Sequence, residues 1–286
     1  MPNNDTVLSV RDVSYVYSPK TPYEKTALDH VTLDIEKGVI TGIIGHTGSG
    51  KSTLVQLFNG LEKPHSGSIL LDGQNIWEKP KEIREIRFRV GLVMQYPEYQ
   101  LFEETVRADI AYGPKNMGLS EEEIVRRVND AIRFVEIDDD LLDMSPFDLS
   151  GGQKRRVAIA GIIAMRPEVL ILDEPAAGLD PRGREVIFRG IRNYQKETGA
   201  SVVIVSHSME DMARICDKLI VMSDSRVIMN GTPDEIFSRG DELHAIGLNV
   251  PEVTRTMIEL RRLGISVNTD VYAVDAAVKE IGGLLR

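Results

Sequence analysis

Val39-Ile40-Thr41-Gly42-Ile43-Ile44 runs without a break into Gly45-His46-Thr47-Gly48-Ser49-Gly50-Lys51-Ser52. The first part is apolar and short enough for a buried strand. The second fits the phosphate-loop pattern G-x-x-x-x-G-K-[ST], and Thr53-Leu54-Val55-Gln56-Leu57-Phe58 reads as the first turns of a helix. Glycines let the loop turn tightly and aim several N–H groups at one spot. The helix N-terminus adds partial positive charge there. Lys51 can reach the outer phosphates, and the Ser52 hydroxyl can ligate magnesium. Gly45, His46, Thr47, Gly48, Ser49, Gly50, Lys51, Ser52 and Thr53 are therefore the candidate binders of a nucleoside triphosphate. A glycine-rich turn binding nothing would not need this strand–loop–helix setting.

Val169-Leu170-Ile171-Leu172 is a fully apolar run ending in Asp173-Glu174-Pro175. Such a run suits a central parallel strand covered on both faces. Its C-terminal end is where open α/β sheets put their ligands. Asp173 can hold the magnesium shell, and Glu174 can accept a proton from an attacking water. Leu149-Ser150-Gly151-Gly152-Gln153 opens a helix that continues through Lys154-Arg155-Arg156. Ser150 is a good N-cap, and the paired glycines bare the first helical N–H groups. This is a second anion cradle, although a Ser-Gly-Gly start alone would mark an ordinary helix. Two copies packed head to tail would let each cradle close over the nucleotide held by the other.

The phosphate loop, Leu149–Gln153, Leu172-Asp173-Glu174 and Ser206-His207 follow the order of ATP-binding-cassette ATPases. Gly45–Thr53, Gln95–Phe102 and Leu149–Gly161 resemble the ATPase subunits of energy-coupling factor transporters, which take up vitamins or transition-metal ions. The resemblance covers residues 7 to 245. It implies ATP and Mg2+ as ligands and transport-coupled ATP hydrolysis. It gives Tyr17 the adenine ring, with Tyr15 left as the alternative on the same strand face. Gln95 becomes the sensor of the γ-phosphate through magnesium and the attacking water. Asp180 lies in the loop that communicates across the ATPase pair. His207 becomes the γ-phosphate switch. Ser150, Gly151, Gly152 and Gln153 complete the facing site. Catalysis then falls to Glu174, His207, Lys51 and Gln95, and magnesium to Ser52, Gln95 and Asp173. One departure is visible: Ala176 stands where the family commonly has threonine, which removes one possible hydrogen bond worth about 1 kcal/mol.

The resemblance also implies partners: a second ATPase subunit, identical or homologous, an integral membrane coupling subunit and a substrate-binding membrane subunit. The contact groove falls beside Gln95, at Glu98-Tyr99-Gln100-Leu101-Phe102-Glu103-Glu104, whose acidic and aromatic residues suit a basic, apolar coupling helix. The expected location is peripheral, at the cytoplasmic face of the cell membrane. The alternatives are the ATPase of another importer of this superfamily, or a soluble switch ATPase acting on nucleic acid or ribosomes. A metabolic kinase would share the phosphate loop but not Leu149–Gln153.

Composition agrees with this placement. The chain has 286 residues, 42% hydrophobic, with a net charge of −10 that opposes general affinity for nucleic acid or anionic lipid. No run approaches the ~20 apolar residues of a membrane span. Met1-Pro2-Asn3-Asn4-Asp5 lacks the features of a signal peptide. The lone Cys216 excludes a disulfide framework and, at helical spacing from Met209 and Met212, reads as core.

The fold class expected is α/β: a P-loop core with an antiparallel β subdomain, a helical insertion over about 96–165 and a small C-terminal helical extension. Residues 7 to 95 read as antiparallel-rich strands around the phosphate loop, with Asp72-Gly73 as a hairpin turn. Ser120-Glu121-Glu122-Glu123 and Thr232-Pro233-Asp234-Glu235 read as capping boxes. From 166 to 231 strands and helices alternate, which implies a parallel sheet. Residues 246–286 carry two amphipathic stretches whose apolar faces pack on their own core or pair with a partner ATPase.

Overall fold

Strand alternation decides the layers of this protein. The computed structural model describes residues 5–272 and 274–284. Met1-Pro2-Asn3-Asn4, read above as no signal peptide, lies outside the described residues, as do Ala273, Leu285 and Arg286 of the C-terminal extension. In chain order the first elements are β1 (Thr6–Tyr17), β2 (Lys25–Glu36), β3 (Ile40–Gly45), α1 (Lys51–Phe58), β4 (Ser66–Leu71), β5 (Gln74–Asn75), α2 (Ile83–Arg89) and β6 (Val90–Val93). The helical insertion carries α3 (Val106–Asn116), α4 (Glu121–Val135) and α5 (Gly151–Ile163). Then come β7 (Val169–Asp173), α6 (Pro181–Thr198), β8 (Ser201–Val205), α7 (Met209–Ile215), β9 (Lys218–Ser223) and β10 (Arg226–Gly231). The chain closes with α8 (Pro233–Phe237), α9 (Gly240–Ala245), α10 (Glu252–Arg262) and α11 (Val274–Leu284).

Two sheets result. One is antiparallel, in the order β2-β1-β4-β5, and the other has the order β10-β9-β3-β8-β7-β6. β3 and β6 therefore depart from the antiparallel-rich reading of residues 7 to 95: β3 lies between β8 and β9, and β6 pairs with β7, all in parallel. The reason is their content. Both are buried along their whole length, whereas β1 and β2 alternate buried and exposed residues. The parallel reading of 166–231 holds for β7, β8 and β9; β10 is an antiparallel edge strand on β9.

The continuous apolar strands face two different cores. Leu170 and Leu172 of β7, with Val202 and Ile204 of β8, pack toward the helical insertion and α6. Val169, Ile171, Val203 and Val205 turn the other way, onto α1 and the antiparallel sheet. Each fully buried leucine- or valine-sized side chain contributes about 1.5–3 kcal/mol. The sheet is thus held from both faces, and its C-terminal strand ends are fixed in space.

Caps set the helix starts. Ser150 and Gln153 form a reciprocal capping box on α5, and Thr232 and Glu235 do so on α8. Ser120 is only half of one. Its hydroxyl accepts from the Glu123 N–H, but the Glu123 carboxylate turns away to Arg126 and Arg127. Two guanidinium partners outcompete one backbone N–H for that carboxylate. The Asp72-Gly73 turn joins β4 to β5 with both residues left-handed. Cys216 is buried against Met212, and burial pushes its thiol pKa up, as expected of a core residue. In the C-terminal extension, Met257, Val267, Val271 and Ala277 form a small core of their own. Tyr272 joins it to Phe237 of α8. Leu263, Val274 and Val278 stay exposed.

Candidate active site

A cleft of about 270 Å³ opens at the C-terminal ends of β3, β7 and β8. β3 delivers the phosphate loop. Gly50 has φ +102°, and a Cβ there would sit 2.3 Å from the Ala27 carbonyl oxygen, so only glycine fits. Gly45 is closed in the same way by the Met222 carbonyl, 2.3 Å from where its Cβ would be. With the loop pinned between β2 and β9, α1 begins at Lys51, two residues earlier than its apolar pattern indicates. The Lys51 ammonium, 6% exposed, donates to the carbonyls of Gly45 (2.8 Å) and His46 (2.9 Å). Burial lowers its pKa, opposed by Glu174 and Asp173.

β7 delivers the carboxylates. Asp173 is the last residue of the strand, and Glu174 follows with φ +52°. A left-handed non-glycine residue costs on the order of 1 kcal/mol or more. It is held there because its N–H donates to the Val205 carbonyl at 2.9 Å, which continues the β7–β8 ladder past the turn. Burial raises the pKa of both carboxyls. Ser52, Lys51 and His207 oppose this at Asp173, and His207 and Ser206 oppose it at Glu174. The Ser206 hydroxyl donates to Glu174 Oε2 at 3.3 Å. His207 Nε2 stands 3.4 Å from Glu174 Oε1, an electrostatic contact that leaves this buried oxygen without a hydrogen bond.

Of the sequence candidates, Tyr17, Thr47, Gly48, Gly50, Lys51, Ser52, Thr53, Gln95, Asp173, Glu174 and His207 all line this cleft. Tyr17 is 38% exposed, and its hydroxyl is 3.0 Å from Thr53 Oγ1. Tyr15 is 8% exposed, packs edge-on against Tyr17 and donates its hydroxyl to Glu62 at 2.6 Å. Gly45 and Ser49 lie beneath the loop, and His46 points aside to Thr47 and Asp224. Among the described residues of the cleft wall, none comes from Ser150–Gln153, and Asp180 is also absent. Asp180 caps α6, its carboxylate accepting from the Gly183 N–H at 2.8 Å. Ser150 and Gly151 are exposed, and nothing lies within 4 Å of where a Gly151 side chain would begin.

Sequence reasoning missed Lys25 and Arg155. Lys25 lines the cleft beside Gly48 because the β1–β2 register sets it opposite Tyr17. No local signal marks it. Arg155 is 5% exposed and touches the backbone of both Gln95 and Glu174. Its helical spacing from the buried Ile159 was the available signal. A larger recess of about 550 Å³ at the N-terminal ends of β7 and β8 has its charged walls already paired, Arg133 with Glu197, Arg166 with Asp130 and Lys37 with Asp72.

The residues fit a magnesium nucleotide. One hydroxyl (Ser52), one amide (Gln95) and one poorly solvated carboxylate (Asp173) converge, and magnesium is usually held by one or two carboxylates plus substrate phosphates. A cation beside Asp173 would offset the burial that disfavours its charge.

Fold and cleft define an ATPase of the ATP-binding-cassette class. The family model for "ABC transporter" matches residues 28–177. The energy-coupling factor transporter ATP-binding protein EcfA2 of Clostridium acetobutylicum is 54% identical over 275 residues, 96% of each chain. The structure of cbiO1 from Clostridium perfringens, part of the ABC transporter complex cbiONQ, matches with a TM-score of 0.76 at 40% identity, covering 91% of this chain and 98% of that one. The dimeric ATP-binding cassette MJ0796, in a post-hydrolysis state bound to ADP and Pi, matches with a TM-score of 0.72 at 28% identity, over 79% of this chain and 98% of that one. The chain belongs to the energy-coupling factor transporter ATP-binding proteins, a branch of the ABC transporter family. No helix among the described residues is long and apolar enough to cross a membrane.

Proposed function

We propose that this chain binds and hydrolyses ATP to energise uptake of a vitamin or transition-metal ion through an energy-coupling factor transporter. The observation that carries the reading is the division of its own site. The phosphate cleft holds Lys51, Asp173, Glu174 and His207, while the Ser150–Gln153 cradle lies outside it, with Ser150 and Gly151 exposed. A second ATPase subunit, the same chain or a homologue, packed head to tail, brings each cradle onto the other's γ-phosphate. Tyr17 stacks on adenine.

The chemistry then follows from the residues. Glu174 holds or deprotonates the attacking water, and its raised pKa keeps it a better proton acceptor than an ordinary carboxylate. Lys51 exchanges the Gly45 and His46 carbonyls for phosphate oxygens. His207, exposed beside Glu174, reaches the γ-phosphate. Ser52, Asp173 and Gln95 would hold magnesium, which would supply positive charge against the phosphate oxygens. After hydrolysis the γ-phosphate contacts are lost and the pair opens.

The stroke reaches the membrane through a groove of about 360 Å³ between the core and the helical insertion, lined by Phe88, Leu92, Leu101, Phe102, Tyr112 and Met165 among others. Phe102 and Tyr112 pack edge-on at its mouth, and Glu103 and Glu104 flank them. An integral coupling subunit with an apolar, basic helix suits this groove, with a substrate-binding membrane subunit beyond it. The chain would then sit peripherally at the cytoplasmic face.

Reconstitution tests the reading. The chain, its companion ATPase and their membrane subunits in liposomes should drive ATP-dependent uptake of one labelled vitamin or metal ion, and Glu174→Gln should stop it. Recovery of the chain with ribosomes instead of washed membranes would point to a soluble switch ATPase.

A further inference from the structure

Arg155 lies in α5, inside a run of three basic residues, yet its side chain is almost completely enclosed. It donates to the carbonyl of Ala177 and, more loosely, to those of Glu174 (3.4 Å) and Gln95 (3.3 Å). Its acidic partner is Glu98, 3.5 Å away on the 3-10 turn Pro97–Gln100. The partnering oxygen of Glu98 is buried and makes no hydrogen bond. One guanidinium thus ties together the loop after β7, the loop after β6 and the turn that borders the membrane groove. The two loops are joined through backbone atoms, so whatever moves the guanidinium moves the peptide that carries Glu174.

We propose that Arg155 is a positioning residue: it sets the Glu174 peptide for water activation and, through Glu98, makes that setting answer to the Pro97–Gln100 turn. The inference rests on the reading of Glu174 as the group that activates water. Arginine suits the task because its planar fork spans several acceptors while remaining charged when buried. A lysine at this place keeps the charge but not the fork. Displacing the Pro97–Gln100 turn draws Glu98 away and leaves the guanidinium held by carbonyls alone, so the Glu174 loop shifts without any change in the phosphate loop.

The test compares ATP affinity, kcat and KM of the full chain assembled with its companion ATPase, for wild type, Arg155→Met, Arg155→Lys, Glu98→Gln and the double variant Arg155→Met/Glu98→Gln. Wild-type turnover that disappears in Glu174→Gln secures the underlying reading independently. Arg155→Met should bind ATP as wild type does while kcat falls by on the order of 10²-fold, the usual consequence of misplacing a reacting group by about an ångström. Arg155→Lys should recover part of the loss. The double variant, which leaves no unpaired buried charge and so folds even if Arg155→Met alone does not, should be no slower than Arg155→Met. Unchanged kcat in Arg155→Met and the double variant, or a loss confined to KM, overturns the positioning role. Full recovery by lysine overturns the need for the fork. Independent, multiplying losses from Arg155 and Glu98 overturn the link between groove and carboxylate.

Discussion

His207 Nε2 lies 3.4 Å from Glu174 Oε1, and that buried oxygen has no hydrogen bond. The contact puts the imidazole ring and an unsatisfied carboxylate oxygen on one side of the cleft, with Lys51 and Ser52 in its wall. A free acceptor at that point is what an attacking water needs.

Replacing Glu174 should therefore separate binding from chemistry. Glu174→Gln should bind ATP and pair with its partner, while turnover falls by about 10²–10⁴-fold. Lys51→Ala should lose nucleotide affinity itself. Equilibrium binding beside a phosphate-release assay checks both; near-normal turnover in Glu174→Gln contradicts the assignment.

The two tyrosines should behave differently. Tyr17→Ala should weaken ATP binding by about 1 kcal/mol, the scale of an aromatic stacking contact. Tyr15→Phe should leave affinity alone and cost stability, because it removes the bond to Glu62. Calorimetric titration and thermal unfolding of each variant measure both effects; undiminished ATP binding in Tyr17→Ala would contradict the adenine role of Tyr17.

These tyrosines also show how far the sequence could be read. The strand–loop–helix at Gly45–Ser52 and the apolar run before Asp173 are local signals, and the structure keeps both. The different settings of Tyr15 and Tyr17 are not local: they depend on Glu62 and Thr53, which the fold brings in from far along the chain. Arg155 was hidden for a related reason. A Lys-Arg-Arg run resembles a solvated helix face, and only the loops at Gln95 and Glu174 enclose its middle member. Strand partners were equally illegible, since β3 and β6 find theirs across the chain rather than beside them.

Stability should carry a pH signature at Asp72. Burial alone would raise its pKa, but Lys37 (2.9 Å) and Arg89 (2.6 Å) outweigh it and hold the carboxyl below its usual 3.8. A depressed acid stabilises the fold above the unfolded value and loses that contribution as pH falls through the folded value. Asp72→Asn, which tolerates the left-handed turn, should lower unfolding free energy at neutral pH by less than about 1 kcal/mol, since the pair is partly exposed. The difference should shrink as pH falls below 3.8 and vanish once it has passed through the lower folded-state value. Urea titrations across this range measure it; a difference that grew on acidification would contradict the ion-pair account.

Docking should depend on the groove rim. Reversing Glu103 and Glu104 to lysine should release the chain from membranes without lowering its ATP affinity, because neither lines the nucleotide cleft. Flotation of vesicles bearing the membrane subunits reads this out. Unchanged association would move the contact elsewhere.

The division of the nucleotide site between two subunits is tested most directly by turnover per chain in a preparation shown by sedimentation to be monomeric, and again after the second ATPase subunit is restored. The position of the Ser150–Gln153 cradle outside the cleft predicts near-zero hydrolysis in the monomer and full turnover in the pair. Equal rates in both would show that one chain carries a complete site.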